Sequence, residues 1–303
     1  MISAIGMALI DTILSVDGFN DREGSYHSDS LIVAGGGMAA TAMCAAARLG
    51  AESRIFSCVG DDLFGSFMRN DLRDHGVDTA GITVVPGAAS TVGIVLVDEN
   101  TGEKQFYSEL VKKVFYGPRS LDLSLLEGTD VLLVDGHWRR GALDGAHWAK
   151  DHDIPVVADF KRTYDGLDSL WPYIDYCILP YFYASELTGL TEPVEMLNAL
   201  AGMQPGKPVI TKGAEGGWYL EKGGMETYPV FPVEAVDSTG AGDAFHGAFC
   251  YFLSRGMSFR DCLTLSSAVG ALNCRGRGGR SSLPDSDELA HFIHASGYDI
   301  RIP

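Results

Sequence analysis

Short apolar runs rich in β-branched residues alternate with longer stretches of helical periodicity along most of this chain. The runs are mostly apolar throughout, as is typical of strands buried on both faces, and they cover Ser3–Ile10, Val131–Val134, Val156–Ala158, Tyr176–Leu179 and Val209–Thr211. Helical periodicity marks Ala39–Leu49, Phe64–His75, Gly141–His152 and Ala244–Ser254. Such alternation predicts a doubly wound α/β fold, with a mostly parallel sheet flanked by helices.

Two segments depart from this rhythm, at residues 12–34 and 91–116. Both are richer in polar residues, and the second alternates like a strand before a turn near Asn100 and Gly102. A further strand over Lys104–Ser108 would complete a hairpin. We expect the two segments to form a small β-sheet lid on the α/β body. No Pro/Ser-rich linker occurs, so the whole chain of 303 residues is predicted to form one domain.

The composition restricts the class of partner. The formal net charge is −17, and long-range repulsion from phosphate-rich surfaces argues against nucleic acid or an anionic membrane as a partner. The six cysteines are scattered without a CxxC pair, which is typical of reduced thiols in a cytoplasmic protein. The apolar opening has no basic residues before Asp11 interrupts it, so it predicts a buried strand rather than a signal peptide or membrane span.

The most informative string is Val236–Phe245, which reads VDSTGAGDAF and leads into a helical pattern. Gly240 and Gly242 flank a small residue just before the helix start, where several backbone N–H groups can converge on one anion. Asp243 would lie in the first helical turn beside that anion, placed to accept a proton from an attacking hydroxyl. The simpler interpretation is a turn followed by a helix cap.

The longer string DSTGAGDAFHGAF closely resembles the signature of the ribokinase (PfkB) family of carbohydrate kinases. The resemblance spans the chain from Gly6 to Pro284 and implies a ribokinase-like kinase that uses ATP and Mg²⁺. By this resemblance Asp243 is the catalytic base, and the anion hole consists of Gly240, Ala241 and Gly242. A monovalent-cation site, which would hold K⁺, is implied near Asp237, Thr239 and Ser282.

A second family signature occurs at residues 34–42, which read AGGGMAATA. Because glycines let a sugar approach the backbone closely, the resemblance makes Gly35 and Gly36 substrate-binding residues. Ala40 stands where the family often has an asparagine, so one polar contact of the family pattern is missing. Asp11 falls at the end of the first predicted strand, where the family has an aspartate that accepts hydrogen bonds from sugar hydroxyls. The alternative is a solvated turn carboxylate.

Residues 35–40 also satisfy a loose form of the dinucleotide fingerprint, which would predict an oxidoreductase. That fingerprint should close the first strand of its βαβ unit and precede an acidic residue about twenty positions on. Asp61 and Asp62 have nearly this spacing, but they lie in the string VGDDLFG, which follows the next strand in the ribokinase-type pattern. We therefore favour a kinase over a dehydrogenase.

The string VITKGAEG at residues 209–216 ends a strand in a glycine-containing turn, a common position for nucleotide contacts in open α/β sheets. Taken alone, it predicts an ordinary hairpin. The resemblance places this segment beside the ATP site, and the nucleotide-binding candidates are then Thr211, Lys212, Gly213 and Gly216. Ser267 and the loop over residues 275–282 would form the opposite wall of that site.

The Asn-x-x-Glu pair of the family, associated with Mg²⁺ and phosphate placement, is absent. It would fall on Pro180 and Tyr183 in LPYFYASELTG, and neither side chain can replace it. Glu186 lies one turn further on and could substitute only indirectly. Some ketose kinases related to ketohexokinase share this departure, so the loss bears on metal placement more than on kinase activity.

Basic and hydrogen-bonding side chains cluster after two predicted strands, at His137, Trp138, Arg139, Arg140, Lys161 and Arg162. Surface ion pairs would explain most of them. If His137, Arg139 or Lys161 faces the pocket as a substrate-binding residue, an anionic sugar or sugar acid is favoured. The strings GGGMAATA, DAFHGA and GGRSSLPD resemble most closely the ketohexokinase and sulfofructose kinase branch of the family.

The sequence therefore predicts an ATP-dependent sugar kinase acting on a hydroxymethyl group, with a ketose or sugar acid as the candidate substrate. A nucleoside kinase of the same fold stays open. So does a non-catalytic sugar or nucleoside sensor, which loss of the Asn-x-x-Glu pair favours slightly, whereas retention of Asp243 favours an enzyme. Dimers through the lid are common in the family, so a homodimer is a further hypothesis.

Overall fold

The structure is a computed structural model that describes residues 1–19, 27–28, 30–101, 103–108, 121–163, 166–203, 205–221 and 223–303. Its strands are β1 (Ile2–Ile5), β2 (Leu9–Val16), β3 (Leu31–Gly36), β4 (Ser53–Gly60), β5 (Val77–Asp78), β6 (Ile82–Val85), β7 (Val92–Asp98), β8 (Lys104–Ser108), β9 (Val131–Val134), β10 (Val156–Asp159), β11 (Tyr176–Pro180), β12 (Lys207–Thr211), β13 (Gly217–Glu221) and β14 (Gly224–Tyr228).

The α-helices of these ranges are α1 (Met38–Arg48), α2 (Leu63–Asp74), α3 (Arg139–Asp151), α4 (Tyr181–Thr188), α5 (Pro193–Met203), α6 (Ala241–Ser254), α7 (Phe259–Asn273) and α8 (Ser286–Ala295). Short 3₁₀ helices cover Leu123–Leu126, Leu167–Ser169, Trp171–Tyr173 and Gly213–Glu215. Within the described ranges, no helix combines the length and the apolar character that crossing a bilayer requires.

The larger sheet has ten strands among the described residues, in the order β14-β13-β12-β11-β10-β9-β1-β4-β5, with β6 paired to β4. Neighbouring strands from β12 across to β5 run parallel, whereas β12, β13 and β14 are joined as antiparallel hairpins. Strand β1 lies in the middle of this sheet, with β4 and β5 following on one side of it and β9 to β14 on the other. The direction in which successive strands are added therefore reverses at β1. Ligand sites in open α/β sheets form at the carboxyl ends of strands beside such a point.

Helices cover both faces of this sheet. Val131 and Leu133 of β9 belong to one core with residues of α1, α6 and α7, whereas Leu132 and Val134 belong to the other core with residues of α3 and α5. Successive strand residues thus enter opposite cores, which explains why the strand runs are apolar throughout. The predicted doubly wound α/β fold is confirmed.

The smaller sheet consists of β3-β2-β7-β8. Strands β2 and β7 are parallel, and β2–β3 and β7–β8 are antiparallel pairs. The predicted hairpin over β7 and β8 is therefore confirmed, whereas Gly102 and the predicted lid residues 20–26, 29 and 109–116 lie outside the described residues. Asp11 and Gly35 both belong to this sheet, so it carries part of the candidate sugar site.

The prediction of one strand over Ser3–Ile10 is wrong, because β1 ends at Ile5 and β2 begins at Leu9. Asp135 explains the break: a Cβ at Gly6 would collide with its carboxylate, which also accepts a hydrogen bond from the Met7 N–H at 2.7 Å. Asp11 therefore lies inside β2 rather than at the end of the first strand. The apolar pattern continues through the break and does not reveal it.

Candidate active site

Helix α6 begins at the glycine-containing turn. Gly240 is its N-cap residue with a φ of 74°, and a Cβ there would lie 2.7 Å from Gly279 Cα, so only glycine suits this position. Asp243 lies in the first turn and is 8% exposed. The N–H groups of a first turn have no acceptor within their helix, and the space facing Gly242 is open. The turn has the form of an anion site with a carboxylate at its edge.

Lys161 forms an ion pair with the candidate base. Its Nζ donates to Asp243 Oδ1 at 2.6 Å, from a position 82 residues earlier in the chain. Burial alone would lower the pKa of Lys161, but the carboxylates of Asp243 and Asp159 raise that pKa above its ordinary value. Lys161 is therefore protonated at neutral pH and places a fixed positive charge beside Asp243.

Asp11 is a buried carboxylate whose Oδ1 has no hydrogen-bond partner within the protein. Burial raises the pKa of Asp11 to about 6; Arg280 opposes the rise, and the negative charges of Asp243 and Asp237 add to it. These charges place two distant segments, around Asp11 and around Asp237 and Asp243, in one acidic neighbourhood beside Arg280. Because Asp11 is buried within a strand, the solvated-turn interpretation is wrong, and its unpaired oxygen is available to a ligand hydroxyl.

Gly35 and Gly36 lie at the end of β3, where neighbouring charged groups occupy the space that a side chain would need. A Cβ at Gly36 would collide with Asp11 Oδ2. A Cβ at Gly35 would collide with the side chains of Asp71 and Arg280. Glycine is therefore needed at both positions to leave space for the side chains of Asp11, Asp71 and Arg280. This need is separate from the sugar contact expected of the two glycines.

Arg280 is a site residue that sequence reasoning missed. Its guanidinium donates to Gly36 O at 2.8 Å and to Thr41 Oγ1 at 3.2 Å, and it forms an ion pair with Asp71. The side chain is buried and connects the loop over residues 275–282 with β3, α1 and α2. The only signal in the sequence was its place in the string GGRSSLPD.

Asp135 follows β9 and is completely buried beneath the basic cluster. Its carboxylate accepts hydrogen bonds from the N–H groups of Met7 at 2.7 Å, His137 at 2.9 Å and Ala39 at 3.3 Å. Burial alone would raise the pKa of Asp135, but His137 and the backbone hydrogen bonds hold that pKa below its ordinary value. Asp135 thus stays ionised and joins three separate segments.

The structure divides the predicted basic cluster. Lys161 contacts Asp243, whereas buried His137 lies 3.1 Å from Asp135 Oδ1 through Nδ1 and 3.4 Å from Arg162 through Nε2. Arg140 is exposed and pairs with Asp144 of the same helix at 3.2 Å, as the surface-pair interpretation expects. Arg139 is half-buried and lines, with Arg140, a largely apolar cavity of about 230 Å³.

Asp237 connects the turn before α6 to the loop over residues 275–282, which contains Ser282. Its Oδ1 accepts from the Thr239 N–H and its Oδ2 from the Gly278 N–H, both at 2.8 Å. Asn273 donates to Thr239 O at 3.3 Å and to Gly279 O at 3.1 Å, while its own Oδ1 is buried without a partner in the protein. An orphaned amide oxygen beside such a loop fits a cation or a water molecule.

The predicted nucleotide segment is a tight hairpin between β12 and β13. The Lys212 N–H donates to Gly216 O at 2.7 Å, and Gly213 and Gly216 have φ values of 53° and 85°. Lys212 Nζ pairs with Glu215 at 2.9 Å. Thr211 ends β12 at the carboxyl edge of the sheet, the edge at which nucleotides bind in open α/β sheets.

Ser267 lies on α7, and its hydroxyl donates to Pro229 O at 2.8 Å. This bond anchors the helix to the segment that follows β14. For the Ser267 hydroxyl to contact a nucleotide, it would have to give up its hydrogen bond to Pro229. Otherwise the contact would have to come from the backbone near Ser267.

The side chains at the Asn-x-x-Glu positions do not form a Mg²⁺ site. Tyr183 is fully buried with its hydroxyl 3.4 Å from Thr163 Oγ1, Pro180 ends β11, and Glu186 is exposed on α4. Among the residues that the structure describes, no three His, Cys, Asp or Glu side chains gather closely enough to hold a metal ion.

A sequence profile of pfkB family carbohydrate kinases matches residues 1–286. The chain belongs to the pfkB family of carbohydrate kinases. Ribokinase of Haemophilus influenzae is 27% identical to this family member over 96% of this chain and 98% of its own length. The predicted enzyme class, a carbohydrate kinase, is therefore confirmed, and the dehydrogenase alternative is excluded.

Solved structures show the same fold for this pfkB-family kinase. A putative ribokinase from Agrobacterium tumefaciens superposes with a TM-score of 0.91 at 29% identity, covering 98% of this chain and 99% of the other. Arabidopsis thaliana ribokinase complexed with ribose and ATP has a TM-score of 0.83 at 22% identity, with 96% and 98% covered. These relatives are ribokinases, so they do not confirm the predicted ketohexokinase and sulfofructose kinase branch.

Proposed function

We propose that this pfkB-family kinase transfers the γ-phosphoryl group of ATP to a hydroxymethyl group of a sugar, with Asp243 as general base. The observation that carries the proposal is the joint placement of Asp243 and Asp11. Asp243 stands at the edge of an anion-binding turn, and its charge acts on the buried Asp11, whose Oδ1 is unpaired. One carboxylate would hold the sugar hydroxyls while the other takes the proton.

The transfer requires positioning and charge stabilisation more than covalent chemistry from the protein. The sugar oxygen forms a bond to the γ-phosphorus, its proton passes to Asp243, and the bond to the bridging oxygen breaks with its electron pair leaving on ADP. N–H groups of Gly240, Ala241 and Gly242 would stabilise the charge on the transferring phosphoryl group. Lys161 adds a fixed positive charge at the same place.

The small sheet supports the predicted role of a lid. It carries Asp11, Gly35 and Gly36, whereas Asp243 belongs to the α/β body. Approach of the small sheet to the body would complete the sugar site and exclude water from the transferring phosphoryl group. The segments assigned to this lid are residues 12–34 and 91–116.

ATP is proposed to bind along the edge formed by Thr211 and the Lys212–Gly216 turn, with the 275–282 loop opposite. Mg²⁺ would accompany the nucleotide phosphates. K⁺ is proposed beside Asp237 and Thr239, supported by the orphaned Asn273 Oδ1 and by the hydrogen bonds that draw the two backbone segments together.

Ribose is the first sugar to test, because the relatives reported above are ribokinases. The structure supports a neutral sugar over a sugar acid, since Lys161 is already paired with Asp243 and Arg280 with Asp71. Ketoses remain the second class to test, in keeping with the branch that the sequence resembles. Nucleosides form the third class, which the shared fold admits.

A homodimer through the small sheet is also proposed. Leu31, Val33 and Ile94 are exposed, and they pair with Leu14 and Thr12 of β2, so their side chains lie on the same face of that sheet. A second copy would cover these apolar side chains. A cytoplasmic location is supported by the six cysteines, none of which forms a disulfide.

The function is tested by measuring ADP release from ATP in the presence of pentoses, ketoses, aldoses, sugar acids and nucleosides, one at a time. Thermal shift with each compound reports binding independently of turnover. We expect sugar-dependent ADP release that is lost in Asp243→Asn. A compound that stabilises the protein without any turnover would instead identify the non-catalytic sensor.

A further inference from the structure

Asp159, at the end of β10, is a fully buried carboxylate that the proposed transfer does not use. Neither of its oxygens has a hydrogen-bond partner within the protein. Burial raises the pKa of Asp159, His246 and Lys161 oppose the rise, and Asp243 and Asp135 add to it. A buried carboxylate without hydrogen bonds needs a nearby cation to remain ionised, and two cationic side chains face it.

His246 is the first of these side chains. It lies on α6, one turn after Gly242, and is 3% exposed. Its Nδ1 is 2.7 Å from Gly242 O and 3.5 Å from Asp159 Oδ2, and its Nε2 is 3.1 Å from Ile178 O. A carbonyl oxygen only accepts hydrogen bonds, so each ring nitrogen must carry a proton to satisfy its partner. The geometry is that of an imidazolium.

Lys161 is the second side chain. It donates to Asp243 at 2.6 Å, and the charge of Asp159 also acts on it. Asp159 thus lies 3.5 Å from His246 and interacts electrostatically with Lys161, which itself binds Asp243, and Asp135 adds a further negative charge. If His246 were neutral, Lys161 would have to serve the carboxylates of both Asp159 and Asp243.

We propose that His246 is a positioning residue for catalysis: held as an imidazolium, it neutralises Asp159 and so leaves Lys161 to orient Asp243 at the anion-binding turn. The same ring connects the first turn of α6, through Gly242 O, to Asp159 at the end of β10 and to Ile178 in the middle of β11. This inference rests on the proposed function, in which Asp243 is the base.

The groups that contact or neighbour His246 lie on three elements. Asp159 of β10 faces it directly, and the carbonyls of Ile178 on β11 and Gly242 on α6 accept from it. Cys250, on the next turn of α6, is a buried thiol whose pKa burial raises, so it is uncharged at neutral pH. The facing groups are thus one carboxylate and two carbonyl oxygens, and each carbonyl requires an N–H from the ring.

The protonation is tested on the unliganded wild-type protein by NMR with ¹⁵N-labelled histidine, and the His246 signals are assigned by their absence from His246→Gln. We expect both ring nitrogens to carry protons at neutral pH. If that variant does not fold, replacing each of the other histidines singly assigns the signals by elimination. A neutral ring with one N–H would overturn the proposal, whatever the enzyme phosphorylates.

The coupling is tested with His246→Gln, Asp159→Asn and the double variant. Misplacement of the base should lower kcat by about 10- to 100-fold in His246→Gln, with the KM values for ATP and sugar nearly unchanged. Asp159→Asn should keep kcat near the parent value, because it removes the carboxylate that competes with Asp243 for Lys161. The double variant should therefore lose much less than His246→Gln, because the cation and the carboxylate are removed together. Arg140→Gln, which removes an exposed cation paired with Asp144, should keep the parent kcat. Multiplying losses in the double variant would overturn the proposal.

Failure of this inference and failure of the proposed function give different results. If Asp243 is not the base, Asp243→Asn keeps its activity, and the NMR experiment still reports whether His246 is doubly protonated. If Asp243 is the base but His246 is only a core residue, Asp243→Asn is inactive while His246→Gln melts at a lower temperature and retains the parent kcat when folded.

Discussion

Lys161 Nζ lies 2.6 Å from Asp243 Oδ1, so the proposed base is held in an ion pair before any substrate arrives. An ammonium in this place fixes the direction of the carboxylate and supplies positive charge where a phosphoryl group would be transferred. The remainder of the acidic neighbourhood, which includes Asp11 and Asp237, would otherwise repel the phosphates of ATP.

Asp243→Asn should abolish most turnover while leaving the fold intact, because the amide keeps the size of the side chain but cannot accept the hydroxyl proton. General bases contribute about 10²- to 10⁴-fold, which corresponds to about 3 to 5 kcal/mol of barrier. Sugar and ATP affinities, measured by calorimetry, should stay near those of the parent. Asp144→Asn, the same change at a carboxylate paired on α3, is the control and should have no effect. A kcat above about a tenth of the parent value would rule out Asp243 as the base.

The affinity for sugar should depend on the ionisation of Asp11. Because burial raises the pKa of Asp11 to about 6, the carboxylate that accepts sugar hydroxyls is lost as the pH falls through that value. Sugar binding should be about tenfold weaker at pH 5 than at pH 7, since each unit below the pKa lowers the ionised fraction about tenfold. Asp11→Asn should bind weakly at both pH values. An equal dissociation constant at both values in the parent protein would contradict this role.

Asp11 should also make the free energy of unfolding depend on pH, but in the opposite direction: stability falls as the pH rises, whereas sugar binding strengthens. Since the pKa in the folded protein lies above the ordinary value of 3.8, protonated Asp11 stabilises the fold. That contribution is complete below pH 3.8 and is lost as the pH rises through about 6. Denaturant titrations of the parent and of Asp11→Asn should therefore differ in slope against pH within this window, and parallel curves would count against the raised pKa.

Gly36→Ala should damage the sugar site without touching the sugar directly. The added methyl would collide with Asp11 Oδ2 and would lie 3.0 Å from Leu9 Cδ1, so Asp11 must move. Overpacking of this kind costs about 1 to 3 kcal/mol of stability. Gly202→Ala in α5, where the new methyl meets no atom within 4 Å apart from its chain neighbours and the helix's own backbone, is the matched control and should be neutral or stabilising. Unchanged sugar affinity in Gly36→Ala would show that the position tolerates a side chain.

Potassium or ammonium should raise the rate above that in sodium at matched ionic strength. An ordered cation near Asp237 and Thr239 would hold the 275–282 loop beside the anion-binding turn. Asp237→Ala should lose this dependence, because both of its hydrogen bonds to the loop and turn disappear. Equal rates in potassium, ammonium and sodium would remove the cation site from the mechanism.

The parts of the site that could be predicted from the sequence are those whose residues lie close together in it. Gly240 and Asp243 are three residues apart, and the conformation of one turn places both. The Lys161–Asp243 and Arg280–Gly36 contacts join residues 82 and 244 positions apart, so only the folded sheet brings them together. The same reason hid the role proposed for His246, which contacts Asp159 on β10 and Ile178 on β11.

The fold was predictable wherever periodicity and strand burial agree. Apart from the first strand, the predicted elements differ from the observed ones by three residues at most, as at the start of α6. The division of the first strand was not predictable, because Ala8, Leu9 and Ile10 continue the apolar run while the chain passes from one sheet to the other. A carboxylate more than a hundred residues away decides where that passage occurs.

The carboxylate of Asp135 binds three separate parts of the chain. It accepts hydrogen bonds from the amides of Met7, between the two sheets, of Ala39, at the start of α1, and of His137, after β9. Exposure of any one of these amides to solvent breaks its hydrogen bond to Asp135 and so disturbs the carboxylate that binds the other two amides. Native-state hydrogen exchange should therefore give the three amides similar opening free energies, as members of a single cooperative unit that spans both sheets.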